Sequence, residues 1–227
     1  MSWSELTQWW LAEVEDDPAY ESVVTPLLTR VLAPQRAHMY LDVGCGEGRV
    51  MRAVSKVGAT VHGLDVNPEL ARRAGRAVVA DLVAIPLRAN TYDGVYSVLT
   101  LEHVDDHDAF FEEAARVAKP GGVLALVINH PLWTAPESTP IADSEGEVLW
   151  RPGAYFSRGS SRLPAGASEV TFHHRSMSDL LNSASAAEWN LQQMVEQPHH
   201  AYRDQPGIPR LLACRWRLQS ESERVLE

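Results

Sequence analysis

Glycine alternates with acidic and small side chains in one stretch of the first quarter of the chain. The stretch is Asp42-Val43-Gly44-Cys45-Gly46-Glu47-Gly48, and it follows an apolar run that begins at Met39. Glycine has no Cβ, so it permits a sharp turn and lets the backbone come within contact distance of a ligand. Residues 49–56 then have a helical pattern. We predict a strand, a ligand-binding turn and a helix, although a tight turn without a ligand would give the same pattern.

The spacing of these glycines argues against a dinucleotide. The dinucleotide fingerprint is G-x-G-x-x-G and seats a pyrophosphate on a helix N-terminus, whereas the spacing here is G-x-G-x-G. Carboxylates at Asp42 and Glu47 would repel a pyrophosphate, but Asp42 suits a ligand that carries an ammonium and a sulfonium group, such as S-adenosylmethionine. An acid followed by G-x-G-x-G is the first motif of the class I S-adenosylmethionine-dependent methyltransferases, and the chain resembles that family here.

Acids also end the next two predicted strands. Asp65 ends the apolar run 59–64, about twenty residues beyond the first motif, where a carboxylate can accept hydrogen bonds from both ribose hydroxyls. Its alternative role is to cap the following helix, a role that Asn67 already fills. The resemblance implies that Asp81 binds the adenine amino group. It implies cofactor contacts at Asp42, Gly44, Cys45, Gly46, Asp65, Val66, Asp81, Leu82 and Leu99.

Three histidines are candidates for a base that takes a proton from the methyl acceptor. His130 follows a predicted strand, His174 precedes the helix that Ser176 begins, and His103 precedes an acid-rich helix start. An unperturbed imidazole titrates near pH ~6.5, so it can accept a proton from a hydroxyl or an amine. A hydrogen-bonded structural role is the alternative for each, and helix capping suits His103.

Neither the remaining histidines nor the cysteines predict a metal site or a disulfide. No compact set of three ligands is visible among His103, His107 and the pairs at 173–174 and 199–200. The only cysteines are Cys45 and Cys214, which form neither a C-x-x-C pair nor a disulfide framework. We therefore expect no metal and a cytoplasmic location.

Length and charge limit the remaining choices. A chain of 227 residues fits one α/β domain. The formal net charge of −10 argues against a nucleic-acid partner, which would need clustered Lys and Arg. No signal peptide and no apolar run long enough to cross a bilayer is visible. We expect no membrane association, and a monomer or a homodimer.

Strands and helices alternate along most of the chain. Such alternation predicts a doubly wound α/β sheet whose ligand lies at the carboxyl ends of the strands. The last two strands follow each other without a helix, which predicts an antiparallel pair. The family resemblance implies the same fold, a seven-stranded and mostly parallel sheet with a reversed last strand. The predicted strands after the glycine turn are 59–64, 77–80, 92–99, 122–129, 189–196 and 210–218.

Two segments outside this alternation are predicted to cover the ligands. Residues 1–35 contain two amphipathic helices, and family resemblance implies that they form a lid. Residues 131–172 are rich in Pro, Gly and Ser, with aromatic side chains at no clear period, so we interpret them as a substrate-covering loop. Helix packing and a loosely packed surface loop are the respective alternatives. Within these segments we predict acceptor contacts at Tyr20, Trp133 and Tyr155.

The resemblance extends over nearly the whole chain of 227 residues, which we treat as a single domain. Residues 36–130 form its cofactor-binding core, and residues 173–227 supply a helix and the antiparallel strand pair. Motifs such as Asn129-His130-Pro131 and His173-His174-Arg175 are similar to a bacterial small-molecule subgroup. One departure is Glu188, which stands where that subgroup has a helix-ending glycine.

We therefore expect an S-adenosylmethionine-dependent methyltransferase that acts on a small-molecule acceptor. Transfer to oxygen, nitrogen or carbon is equally compatible with the sequence. A protein of the same fold that binds the cofactor without catalysis is the first alternative. A nicotinamide-dependent reductase is less compatible with the sequence because the glycine spacing differs. An enzyme that methylates nucleic-acid bases would have an N-P-P-Y-type motif after the fourth strand, and the sequence has none there.

Overall fold

The computed structural model describes residues 3–15, 17–142, 144, 148–165, 167–198 and 207–220. Its helices are α1 (Trp3–Glu15), α2 (Thr25–Leu32), α3 (Arg49–Ser55), α4 (Pro68–Ala74), α5 (His107–Val117), α6 (Pro131–Thr134) and α7 (Met177–Ala186). A π-helical turn, Tyr20–Val24, precedes α2, and a 3-10 turn, Leu101–His103, follows the fourth strand. None of the described helices is long and apolar enough to span a membrane.

The strands divide into one large sheet and two hairpins. They are β1 (Met39–Val43), β2 (Thr60–Asp65), β3 (Ala77–Val79), β4 (Tyr92–Val98), β5 (Ala118–Asn129), β6 (Thr139–Ala142), β7 (Val148–Arg151), β8 (Ser160–Ala165), β9 (Ser168–His173), β10 (Trp189–Pro198) and β11 (Pro209–Leu218). The seven-stranded sheet has the order β10-β11-β5-β4-β1-β2-β3. Strands β1 to β5 run parallel, while β11 is antiparallel to both β5 and β10. The predicted fold is confirmed, including the reversed last strand.

The strand order changes direction between β1 and β4. From β1 the chain adds β2 and β3 on one side, and it then returns to add β4 and β5 on the other side. At such a switch point the connections leave the sheet in opposite directions, which opens a crevice at the carboxyl ends of the strands. The glycine turn follows β1 and therefore lies at this crevice.

Helix starts near the crevice are fixed by side-chain caps. The Asn67 side chain accepts hydrogen bonds from the N–H groups of Glu69 and Leu70, which confirms the predicted cap of α4. Ser176 and Asp179 form the reciprocal capping box predicted for α7. The first N–H groups of a helix have no partner within the helix, and each of these caps accepts hydrogen bonds from some of them. The residues just before α4 and α7 therefore have defined positions.

Two apolar cores cover opposite faces of the sheet. Leu41 and Val43 of β1 lie in the core beneath α5 and α7. Tyr40 lies in the core beneath α2 and α3. Because side chains alternate along a strand, Asp42 lies on the α2 and α3 face. This acidic residue is 2% exposed, so β1 carries a carboxylate into an apolar face at the carboxyl edge of the sheet.

The segment 131–172 is more regular than the sequence indicates. It contains α6, the antiparallel hairpin β6–β7 and the antiparallel hairpin β8–β9. Leu6 of α1 forms a third small core with Ala165 and Val170 of the second hairpin. The residue pattern predicts no strands in this segment, because both hairpins form through cross-strand pairing and the second of them also packs on α1. A local hydrophobic period does not report such contacts.

Glu188 adopts the left-handed conformation despite its side chain. Its φ is 63°, and its N–H donates to Ser185 O at 3.0 Å just after α7. The structure thus keeps the helix ending for which glycine is the usual residue. Ala33 is similar, with φ 47° after α2 and its N–H donating to Thr29 O. Left-handed non-glycine residues cost roughly 1–2 kcal/mol each.

We predict that Ala33→Gly stabilises the protein by about 0.5–1 kcal/mol, because glycine adopts this conformation without the Cβ penalty. Urea unfolding monitored by circular dichroism measures the change. Ala53→Gly in the middle of α3 is the matched control and should destabilise the protein by about 1 kcal/mol. Equal destabilisation by both substitutions would contradict the strain at Ala33.

Candidate active site

The glycine turn brings three structural elements into contact. Gly44 and Gly46 have φ values of 79° and 53°. A Cβ at Gly44 would collide with the Thr100 side chain, and a Cβ at Gly46 would lie 2.7 Å from the Trp10 ring. Both positions therefore require glycine for conformation and for space. The end of β4 and helix α1 pack directly on the turn, as close backbone approach allows.

Asp65 is fixed at the end of β2 by backbone donors. Its Oδ2 accepts from Gly46 N–H at 2.8 Å, and its Oδ1 accepts from Asn67 N–H at 2.8 Å. Burial raises the pKa of this carboxyl group, while these two N–H groups oppose the shift. A carboxylate has about four lone-pair sites, so it can accept further hydrogen bonds from a ligand.

A cavity of about 360 Å³ runs along the carboxyl ends of β1, β2 and β4. Its wall combines apolar side chains with aspartates, as small-molecule sites generally do. Val66 is half-exposed and Leu82 is buried, and both line the cavity beside the exposed Asp81. The predicted site residues that line it are Tyr20, Gly44, Gly46, Asp65, Val66, Asp81, Leu82, Leu99 and His103.

Asp42 and Cys45 line a second, adjoining void instead. This void is about 30 Å³ in volume. It shares four lining residues with the main cavity, namely Trp10, Tyr20, Gly44 and Gly46. Among the described residues, Oδ2 of Asp42 has no hydrogen-bond partner, although it is buried. Burial holds the pKa of Asp42 well above its usual range, the neighbouring Tyr96 hydroxyl opposes this shift, and the charges of Asp65 and Glu47 add to it. Within the part of the chain that the structure describes, neither Oδ2 of Asp42 nor the Tyr96 hydroxyl makes a hydrogen bond of good geometry, so the hydroxyl compensates the carboxylate only in part. A cationic group in this void would compensate the buried carboxylate.

The turn after β4 forms the opposite wall of the cavity. Leu99 is left-handed with φ 51°, and its N–H donates to Val127 O at 2.8 Å. The Thr100 hydroxyl donates to Val98 O at 3.1 Å and lies 3.3 Å from Gly44 O. Strained backbone of this kind persists only where surrounding contacts hold it. Here it turns the chain across the cavity toward the 3-10 turn that carries His103.

His103 is the only one of the three candidate histidines that lines the cavity. Its Nδ1 lies 2.9 Å from Thr171 O, and its ring packs against Phe172 at 4.6 Å between centroids. A carbonyl oxygen only accepts, so Nδ1 carries the proton and a neutral ring has its lone pair on Nε2.

His130 and His174 are placed as structural residues. His130 caps α6 by accepting from Leu132 N–H at Nδ1, and its Nε2 donates to Glu196 at 2.9 Å. His174 Nε2 donates to Tyr155 O at 2.7 Å, so its Nδ1 accepts from the Thr134 hydroxyl at 3.0 Å. Burial lowers the pKa of both imidazoles. Neither ring lines the described wall of the cavity, and both nitrogens of each ring are hydrogen-bonded within the protein.

Trp133 and Tyr155 also lie away from the described wall of the cavity. The Trp133 ring packs against Trp150 at 4.3 Å between centroids, and Arg210 lies over it at 4.7 Å. The Tyr155 hydroxyl accepts from Met177 N–H at 3.2 Å. Both rings pack around α6 and α7, and their acceptor contacts stay a prediction.

Sequence reasoning missed several residues of the cavity wall, among them Trp10 and Thr100. Trp10 covers Gly46 and lines both cavities, and Thr100 packs on Gly44. The aromatic pair at residues 9–10 is compatible with ligand contact, but such a pair is more typical of helix packing. Thr100 gave no signal, because its role depends on β4 lying beside β1.

Comparisons with known proteins agree with the geometry of this turn. The sequence profile of a methyltransferase domain matches residues 41–126, from β1 to β5. Residues 41–126 are thus similar to the domain of this methyltransferase family. The resemblance drawn from the first motif is thereby confirmed, and the matched residues include the glycine turn and most of the cavity wall.

Solved structures extend the likeness beyond that domain. An S-adenosylmethionine-dependent methyltransferase from Mesorhizobium loti is 25% identical with a TM-score of 0.77, and the match covers 87% of this chain and 99% of that one. A methyltransferase of the same cofactor dependence from Aquifex aeolicus has a TM-score of 0.62 at 17% identity, covering 92% and 97% of the two chains, and shares the fold.

Two curated relatives with the same name match about half of the chain. The ubiquinone biosynthesis O-methyltransferase of Thiobacillus denitrificans is 36% identical over 134 residues, which are 52% of this chain and 57% of that protein. The protein of the same name from Xanthomonas axonopodis is 32% identical over 132 residues, covering 52% and 55%. The chain thus spans about half the length of the curated relatives that it matches.

The buried Asp42 beside the methyltransferase turn predicts a pH-dependent cost in the ligand-free protein. The pKa of Asp42 is raised in the folded protein. As the pH rises above the ordinary pKa of an aspartate, the unfolded chain therefore loses this proton before the folded protein does. Stability must therefore fall as the pH rises through that window. We expect Asp42→Asn to stabilise the ligand-free protein at about pH 8 by roughly 1–3 kcal/mol, and by less at about pH 4.5.

Urea unfolding at both pH values measures this difference. Asp81→Asn is the matched control, since it removes the same charge from the exposed rim of the cavity. A gain at Asp42→Asn that is equal at both pH values would show that the carboxylate is not buried as a charge.

Proposed function

We propose that the protein is an S-adenosylmethionine-dependent methyltransferase that acts on a small-molecule acceptor by direct displacement. The observation that carries the proposal is the pair of buried carboxylates at one glycine turn. Asp65 faces the cavity with spare lone pairs, and Asp42 has an unpartnered oxygen beside the adjoining void. A ligand with a ribose and an ammonium group matches both.

Each part of this cofactor finds residues of matching chemistry. Asp65 would accept the ribose hydroxyls, and Asp42 would stabilise the ammonium group near the turn. Val66 and Leu82 offer apolar surface to adenine, with Asp81 beside them for its amino group. When bound, the cofactor supplies a methyl group on a positively charged sulfur, which leaves as a neutral thioether.

The protein contributes mainly alignment and exclusion of water. Positioning alone can supply roughly 7–11 kcal/mol of a barrier. Trp10 and Tyr20 cover the glycine turn, and Arg49 lies over the Tyr20 ring at 5.0 Å. Glu47 in turn contacts Arg49 and Arg52 at 3.2 Å, so charged neighbours hold this cover in place.

We infer a division of the chain that follows from this cover. Residues 36–130 bind the cofactor, residues 1–35 and 131–172 close over the ligands, and residues 173–227 complete the sheet. The contact of α1 with both the glycine turn and hairpin β8–β9 supports this division. Acceptor contacts at Trp133 and Tyr155 would require the 131–172 segment to rearrange when the acceptor binds.

The described wall of the cavity favours a neutral or cationic acceptor. It includes Asp65, Asp81, Asp105 and Asp106 and contains no Lys or Arg. An anionic acceptor would be repelled there without a compensating charge. The name shared by the curated relatives makes a hydroxyl oxygen the first atom to test, and amine and carbon acceptors follow.

We also infer a cytoplasmic protein that acts as a monomer or homodimer and not on nucleic acid. The net charge of −10 supports a partner other than a polyphosphate. Both cysteines are free and buried, which is compatible with a reducing compartment. Sedimentation of the purified protein decides its oligomeric state.

We predict that Asp65→Ala weakens adenosylhomocysteine binding by about 1.5–3 kcal/mol for each ribose hydrogen bond lost. Isothermal titration calorimetry measures the affinity. Glu112→Ala removes an exposed acid from α5, outside the described wall of the cavity, and should leave binding unchanged. Wild-type affinity in the Asp65 variant would reject the ribose assignment.

We predict that His103→Asn lowers turnover by roughly 10²–10⁴-fold and leaves cofactor affinity intact, because His103 alone among the three candidate histidines lines the cavity. Radiolabelled methyl transfer to a panel of neutral phenols and amines measures turnover. His130→Ala is the comparison, since that ring is bonded internally. If the His103 variant is as active as the wild type, catalysis depends on alignment alone.

A further inference from the structure

Arg175 is buried, and its guanidinium donates hydrogen bonds to backbone carbonyl groups. The residue is 6% exposed. Its Nη1 donates to Leu101 O at 3.1 Å and approaches His173 O at 3.4 Å, and its Nη2 donates to Asp105 O at 2.6 Å and to Val104 O. Burial lowers the pKa of this guanidinium. A buried cation held by carbonyls must be well coordinated to be tolerated.

Most of these carbonyls belong to the turn that carries His103 to the cavity. The turn spans residues 101–105, between β4 and α5. Arg175 holds it through the backbone, while the His103 side chain holds it to β9 through Thr171 O at 2.9 Å. The position of the imidazole therefore depends on two contacts, one from the β9–α7 junction and one from the hairpin.

The same hairpin supports helix α1. Leu6 of α1 packs with Ala165 and Val170, and Phe172 packs against this cluster. Phe172 also lies 4.6 Å from the His103 ring between centroids. One aromatic side chain thus connects the helix that covers the cofactor side with the histidine on the cavity wall.

Helix α1 is in turn anchored to the cofactor side of the cleft. The Asn67 side chain donates to the Thr7 hydroxyl at 2.6 Å, and the Trp10 ring covers Gly46. A continuous set of contacts therefore leads from the glycine turn, through α1 and the hairpin, to His103.

We propose that Arg175 is a positioning residue for the acceptor end of the cleft. It clamps the 101–105 turn against hairpin β8–β9. The position of His103 at the cavity therefore depends on the packing of α1 on the same hairpin. The role of His103 rests on the proposed function, whereas the clamp does not. Lysine cannot replace the arginine, because a single ammonium group cannot reach the same set of carbonyls in fixed directions.

The test follows the imidazole of His103 directly. Protein with labelled histidine is studied by NMR without ligand, and the His103 signal is assigned by its loss in His103→Gln. Arg175→Lys and Leu6→Ala should both move the His103 ring signals, while the signals of His62 on β2 stay in place. Leu218→Ala is the matched control. Leu218 is as buried as Leu6, but it lies in the large core beneath α5 and α7 and not in the small core that α1 shares with the hairpin.

Three outcomes would overturn the proposal. The His103 signals could remain at their wild-type positions in Arg175→Lys, all histidine signals could move together as in general unfolding, or Leu218→Ala could move His103 as much as Leu6→Ala does. Kinetic measurements give a second test. Arg175→Lys should lower kcat roughly 10–100-fold and leave the affinity for adenosylhomocysteine unchanged, because a misplaced catalytic group slows the reaction without weakening cofactor binding. If the wild type itself fails to bind adenosylhomocysteine, the proposed function is wrong, and the NMR result still decides the clamp.

Discussion

The hydrogen bond from Gly46 N–H to the Asp65 carboxylate joins the ends of β1 and β2 at the point where the ligand must lie. It forms only if Gly46 takes a left-handed conformation that points its N–H toward β2. Once formed, it fixes both the backbone of the turn and the direction of the carboxylate. The rest of the cleft is arranged around this pair, because Trp10 packs on Gly46 from one side and Thr100 packs on Gly44 from the other.

The site carries features that make the ligand-free protein less stable. Asp42 is buried with an unpartnered oxygen, and Leu99 is held in a left-handed conformation. Each costs free energy that the two large cores on either side of the sheet must offset. Such costs are expected where a site is preorganised for a charged ligand, since the same carboxylate that destabilises the empty site would stabilise the occupied one.

The segments that cover the cleft are connected with each other as well as with the sheet. Helix α1 and hairpin β8–β9 share a small core of their own, separate from the cores of the sheet. His103 and Arg175 both join the 101–105 turn to the end of this hairpin. His103 does so through its side chain to Thr171 O of β9, and Arg175, just after β9, does so through the backbone carbonyls of the turn. A cover with its own core can move as a unit, and its contacts reach both the cofactor side and the acceptor side.

The sequence by itself determined the sheet, its reversed strand, the helix caps at Asn67 and Ser176 and the acidic glycine turn. These depend on local signals, namely apolar runs of strand length, caps at fixed spacing and glycines where no other residue fits. Only the tertiary structure decided which histidine lies at the cavity, that Trp10 and Thr100 belong to the site, and that residues 131–172 form hairpins.

His103, His130 and His174 look alike in sequence, because each stands beside a predicted element at the same edge of the sheet. They differ in which distant groups occupy their ring nitrogens, such as Glu196 for His130 and Tyr155 O for His174. Contacts between residues so far apart in the chain are set by the packing of whole elements, and no local pattern of residues encodes them.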